Sequence, residues 1–392
     1  MNVRLTKVLL GLAAPLLALG LAFLITSFVL LLAGDPAGEV WAQLLQWPQP
    51  RNQINILNNA MVLFLSGLAV SIGFRMNLFN IGVDGQYRVA VFVAAVVAGE
   101  AWLPGYANTA LAIVCAMLAG ALWAGVAGVL KATRGVSEVI ATIMLNFIAT
   151  SLVAYLLAKA AVREEGSNVI GTKVIPESSW IPGIQVWSDV ATELYGFIVI
   201  TVLAGVGYWF VLNKTRFGFE LRATGQSSTA AVASGVSAKR MTIATMMLSG
   251  AVAGLVGLPI LFGESHSYGF AGIAIALLGR NHPVGIALGA LLFAFLNEQS
   301  NPLQILVGVS PDIVAITQGV IVLTVVVSYE LVRRYGARLE QRRVAAELAA
   351  GVTVTSGTTA EDTDPGPSTT SAPDASGRPD DGDVDLSKET TR

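Results

Sequence analysis

Met76-Asn77-Leu78-Phe79-Asn80-Ile81-Gly82-Val83-Asp84-Gly85-Gln86-Tyr87-Arg88 joins two segments, 56–74 and 89–99, each apolar enough to lie in a bilayer. Between them stand two asparagines, a carboxylate, a glutamine, an arginine and two glycines. A carboxylate at the centre of a membrane costs about 2.5–3.5 kcal/mol, so it turns to a cavity or a partner rather than to lipid. Gly82 and Gly85 let the backbone leave the helix. Broken backbone at membrane depth survives only inside protein or beside water. The stretch reads as a polar, interrupted element on a solute path. It reads equally as a cytoplasmic loop, with Arg75 and Arg88 as ordinary inside charges.

The rest of the chain supports the membrane reading. Of 392 residues 54% are hydrophobic and only 13% charged, against about 25% charged in soluble domains. Residues 8–33 form an apolar run behind Arg4 and Lys7, well beyond the ~7–15 residues of a signal-peptide core, so a retained span is expected. Cys115 is the single cysteine, which excludes an intrachain disulfide and a thiol metal cluster. His266 and His282 are too few for a haem or a histidine-rich metal site. No cofactor is expected.

Apolar runs at 8–33, 56–74, 81–99, 109–130, 137–160, 194–212, 241–262, 268–279, 283–298 and 313–332 are the candidate spans. The expected fold is an all-α polytopic membrane protein of about ten transmembrane helices. The pair 268–279 and 283–298 is short, and fits two short spans or one re-entrant hairpin. Lys and Arg gather at 4–7, 75, 131–134, 214–240 and 333–343, which orients these loops and both termini to the cytoplasm. Arg51, Arg163 and Lys173 are exceptions. Two sets of five spans would enter the membrane in opposite senses, as in a 5+5 inverted repeat. The second-half counterpart of the polar break would be Tyr268-Gly269-Phe270-Ala271-Gly272-Ile273.

Small residues at helical spacing, Gly120-Ala124-Gly128, Gly250-Gly254 and Gly285-Gly289, predict close helix packing. Residues 1–335 are expected to be the transmembrane domain, with an external loop at 161–193 and a cytoplasmic segment at 213–240. Residues 336–350 continue as a charged helix. From Gly351 to Arg392 the composition is Thr, Ser, Gly, Pro and Asp, too polar to fold, so an acidic disordered tail is expected.

No enzymatic constellation is visible: there is no G-x-x-x-x-G-K-[ST] loop, no H-E-x-x-H and no Ser/His/Asp set. If transport here uses ATP, another chain hydrolyses it. Nothing suggests a nucleic-acid partner. In 213–240, Ser227 or Ser228 can cap a short helix that Gly235 ends. Such a helix fits a groove on a soluble partner, and fits equally a plain connection. Glu138, after Ser137 at a helix start, suits the N-terminal dipole.

Ala230-Ala231-x-x-x-Gly235 is similar to the Glu-Ala-Ala-x-x-x-Gly loop of permease subunits in ATP-binding-cassette importers, with Thr229 at the Glu position. Asn80-Ile81-Gly82-Val83-Asp84-Gly85-Gln86 resembles the Asn-Ile-Gly-x-Glu-Gly-Gln signature of nucleoside and simple-sugar permeases, Asp84 standing for the commoner Glu. Ser137–Asn146 and Gly269–Gly279 match two further blocks of that family, so the resemblance covers about 50–335. It implies an importer of two permease subunits, cytoplasmic ATPases and an external lipid-anchored binding protein, with the solute path at the subunit interface. On that basis Asn80, Asp84, Gln86 and Asn146 are the pathway candidates, and Ala230, Ala231 and Gly235 the ATPase-coupling residues. Asn and Gln offer paired donors and acceptors suited to neutral nucleosides. Asn146 fits equally an interhelical hydrogen bond, worth about 0.6 kcal/mol. Two other readings stand beside nucleoside import: a ribose-type sugar importer, and an ion-coupled carrier using Asp84.

Overall fold

A computed structural model describes residues 3–160, 162–163, 170–262 and 271–355. The helices are α1 (Val3–Ala33), α2 (Ala37–Leu44), α3 (Pro50–Phe74), α4 (Val83–Glu100), α5 (Tyr106–Arg134) and α6 (Glu138–Ala160). After the loop to residue 197 come α7 (Ile198–Lys214), α8 (Arg216–Gln226) and α9 (Ser228–Ala233). Then follow α10 (Ala238–Ala253), α11 (Leu258–Leu261), α12 (Ala271–Leu278), α13 (Pro283–Ser300), α14 (Leu303–Leu306) and α15 (Asp312–Thr355). Among the described residues the extended pairing is one antiparallel ribbon, Val162 opposite Gly171 and Arg163 opposite Ile170, and a bridge between Ile184 and Leu194. The fold is all-α and polytopic, as the apolar periodicity requires. Residues through Tyr335 form one compact unit, and those after it belong to a second.

Length and composition confirm the expected count of about ten spans only in part. Among the described residues five helical stretches are long and apolar enough to cross a membrane: Pro50–Phe74, Tyr106–Arg134, Glu138–Ala160, Ala238–Leu261 and Asp312–Val332. A sixth arises if α7 and α8, bent by 69° at their junction, count as one. Arg216, Glu220 and Arg222 make α8 a poor continuation of a span, and α7 alone is 17 apolar residues. Within α1 the apolar stretch Leu17–Ala33 is shorter, and three further expected spans fall short for identifiable reasons. α4 opens with Asp84, Gln86 and Arg88, α13 closes with Asn297, Glu298 and Gln299, and α12 has eight residues. Tyr268–Phe270 of the proposed counterpart break, His266 and the tail from 356 lie outside the described residues.

α3 is the centre of the bundle, 83% buried across its apolar window. It is apolar on every side, with Leu63, Leu65, Leu68 and Ile72 enclosed, which is the pattern of a fully surrounded helix. α10, α12 and α13 pack on it. A side chain at Gly67 would strike Ile286 and Ile275, so glycine seats the α12–α13 hairpin against α3. α5 and α10 meet backbone to backbone: a Cβ at Gly120 would fall on the Gly250 carbonyl, and one at Gly250 on that of Gly120. Lipid supplies no hydrophobic drive between helices, so such contacts gain their stability from close packing. α6 is the opposite case, 22% buried, with Ile140, Met144, Phe147 and Ile148 facing outward.

Candidate functional site

The polar break begins where α3 ends. Met76 N and Leu78 N both donate to Gly73 O (2.9 and 3.0 Å), which curls the chain back over the last turn of α3. Asn77 sits at φ +56°, a left-handed conformation asparagine tolerates better than most residues. Gly73 has no room for a side chain, because a Cβ would lie 2.8 Å from Leu78 O.

Asn80 is fully buried at the heart of this turn. It and Gln86 exchange both amide bonds, Asn80 Nδ2 donating to Gln86 Oε1 (2.9 Å) and Gln86 Nε2 to Asn80 Oδ1 (2.8 Å). Asn80 Oδ1 also accepts from Gly82 N (3.0 Å), and Asn80 Nδ2 donates to Ser249 Oγ of α10 (2.8 Å). Ser249 Oγ in turn donates to Ala69 O of α3 (2.6 Å). Ala69 lies one and a half turns before the end of α3, so the break re-enters the bundle by about 7 Å. Asn146 of α6 closes the network: its Nδ2 donates to Ile81 O (2.9 Å) and its Oδ1 accepts from Gly85 N (2.8 Å). A Cβ at Gly85 would sit 2.8 Å from that oxygen, so glycine is required there.

The structure thus brings Asn80, Gln86 and Asn146 together, with their amides turned on one another and on the backbone. Asp84 stands apart, on the half-exposed side of α4, bonded to Arg88 at 3.0 Å. The stretch is a connection between α3 and α4 that exposes Asn77 and Phe79 and buries Asn80 and Gln86. Glu138 pairs with Lys131 across the α5–α6 connection at 2.9 Å.

The cytoplasmic-type segment is built by local signals. Thr215 caps α8 by accepting from Gly218 N (3.2 Å), and Ser227 caps α9 by accepting from Ala230 N (3.2 Å). α9 closes with Gly235 N donating to Val232 O and Val236 N to Ala231 O, both at 2.9 Å, around Gly235 at φ +83°. These paired bonds end a helix on a left-handed glycine. Ala231 is buried, while Ala230, Val232 and Gly235 face outward. Phe219 on α8 is also exposed.

Sequence reasoning missed a second polar region at the opposite end of α3. A cavity of about 1010 Å³ is lined there by Arg51, Asn55, Trp180, Glu193, Phe197 and Phe262, among others. Its rim is held by Asn58, which donates to Glu193 O (3.0 Å) and accepts from Tyr195 N (2.9 Å). On the far side Thr109 and Asn108 of α5 bond Ser179. The pair Asn58-Asn59 inside an apolar run was the available signal.

Comparison with known proteins places this geometry in a family. The family described as "Branched-chain amino acid transport system / permease component" matches residues 52–327. The guanosine ABC transporter permease protein NupP of Bacillus subtilis is 34% identical over 336 residues, 82% of this chain and 94% of its own. The glucose ABC transporter permease protein TsgB13 of Haloferax volcanii is 33% identical, over 71% and 77%. The nucleoside ABC transporter permease protein NupB of Lactococcus lactis is 29% identical, over 84% and 93%. The matched region holds both the buried break and the capped α8–α9 segment, and this chain belongs to the family of branched-chain amino acid transport system permease components.

Proposed function

We infer that this chain is the nucleoside-conducting permease subunit of an ABC importer, multi-pass in the cytoplasmic membrane with both termini inside. The observation that carries this is the likeness to NupP, which extends through nearly the whole of that relative. Geometry supports it. α9 presents Val232 and Gly235, and α8 presents Phe219, as an apolar tip among charged neighbours, the form expected of a surface that seats on another protein. ATPase subunits occupy that tip, a second permease completes the path, and an external binding lipoprotein delivers solute. The chain itself performs no chemistry and takes no cofactor.

Asn80, Gln86 and Asn146 then shape the wall of the path by fixing the break, and Asp84 with Arg88 presents the polar face of α4. The cavity around Arg51, Asn55 and Trp180 is the outer mouth, where an aromatic ring and amide and charged groups suit a neutral base and ribose. The pairing of Asp84 with Arg88 disfavours the ion-coupled reading, since the carboxylate already has its counter-ion.

The test is uptake of labelled guanosine or uridine by the assembled importer in proteoliposomes. ATP-dependent accumulation that unlabelled nucleosides abolish, and ribose or glucose leaves intact, is the expected result. The glucose permease relative gives the sugar reading its own support. Strong competition by a hexose or pentose would transfer the function to sugars.

A further inference from the structure

The break and the α8–α9 segment meet at Gly225, where backbone lies against backbone. A Cβ at Gly225, near the end of α8, would lie 2.8 Å from both Arg75 O and Met76 Cα. Asn77 Nδ2 donates to Gly225 O at 2.6 Å. Asn77 makes that bond from its left-handed conformation. The same short stretch is bonded to three other elements. Arg75 Nη2 donates to Asn281 O in the α12–α13 turn (2.7 Å), a carbonyl that also accepts from Tyr208 of α7 (2.6 Å). Thr245 of α10 donates to Met76 Sδ (3.2 Å), and Phe79 N approaches Glu138 Oε1 of α6 (3.5 Å).

We propose that Asn77 and Gly225 form the joint through which displacement of α8 and α9 reaches the polar break, and from there α3, α10 and the α12–α13 turn. The inference rests on the importer reading, because it needs a motor that moves α9. Its physical basis is stiffness. Two backbones in contact without an intervening side chain cannot absorb a push by rotamer change, and the hydrogen bond resists the return pull. Beyond Asn77 the path is equally stiff, because Asn80 is bonded on every side. Asn77 is thus a positioning residue: it acts on the path through 78–82.

The experiment uses the complete importer in proteoliposomes, with ATP hydrolysis and nucleoside uptake measured together. Asn77→Gly keeps the left-handed backbone and removes only the bond. Uptake is expected to fall about fivefold while hydrolysis stays within about twofold, the effect of losing one hydrogen bond in the stroke. Gly225→Val, which forces the backbones apart, is expected to lose more uptake at the same hydrolysis. An unchanged ratio of solute to ATP in Asn77→Gly, or uptake and hydrolysis falling in proportion, overturns the joint. A second arm needs no solute. Spin labels at exposed Phe79 and Phe219, with Cys115 replaced by serine, report the distance across the joint. It is expected to stay constant through the ATP cycle in the otherwise unmodified complex and to vary in Asn77→Gly. A distance that changes in the unmodified complex overturns the joint, whereas absent nucleoside uptake there overturns only the parent reading.

Discussion

Asn80 and Gln86 face each other six residues apart, across the start of α4, and their amides exchange one bond in each direction. Replacing Asn80 with leucine removes both bonds that the buried amide of Gln86 makes to it, at about 1–3 kcal/mol. The expected outcome is a lower thermal unfolding midpoint for the detergent-solubilised protein. Combining Asn80→Leu with Gln86→Leu should cost less than the sum of the two single changes, because the second removes an orphan the first created. Additive losses would mean that the two side chains do not work as a pair. The polar character of this stretch was legible in the sequence, but its partners were not. Periodicity says which residues share a face of an unbroken helix, and no period relates Asn80 to Gln86 across a turn, or to Ser249 on α10. Ser249 carried no signal beyond a hydroxyl in an apolar run.

Among elements, α9 is one whose ends sequence reading located. Ser227 at its start and Gly235 past its end are local signals that act within one turn, so no tertiary information was needed. Gly235 has open space around it but φ +83°, so a β-branched residue is strained by about 1–2 kcal/mol without any clash. Gly235→Val should leave the membrane bundle folded and reduce uptake relative to ATP hydrolysis. Normal coupled uptake by that variant would remove α9 from the transmission route. Gly250→Leu is expected to do the reverse, preventing α5 and α10 from meeting and abolishing recovery of folded protein from membranes. Phe147→Leu on the outward face of α6 serves as the neutral control in the same assay. The boundaries of α4 and α13 were also legible, within two residues of the apolar runs 81–99 and 283–298, but whether each crosses the membrane was harder to read. Hydropathy scores a whole window, and a polar end or a short length is compensated there by tertiary packing, of α4 on α5 and α6 and of α12 and α13 on α3.

For the whole molecule the expectation is dependence. In liposomes without its ATPase partners the purified chain should accumulate no nucleoside, and mild-detergent purification should bring down an ATPase, a second permease and a lipoprotein. Solute uptake by the lone polypeptide would overturn the account. Family and class were readable from residue patterns because each depends on short contiguous motifs. The outer cavity was not, because Arg51, Trp180 and Phe262 come from three distant parts of the chain. The glycine contacts between α5 and α10 bear on how such a molecule changes shape. With Gly120 and Gly250 resting carbonyl against Cα, neither helix can slide or roll on the other without collision. Those two staves of the barrel travel as one plank, and the seam that parts to pass a solute has to run elsewhere.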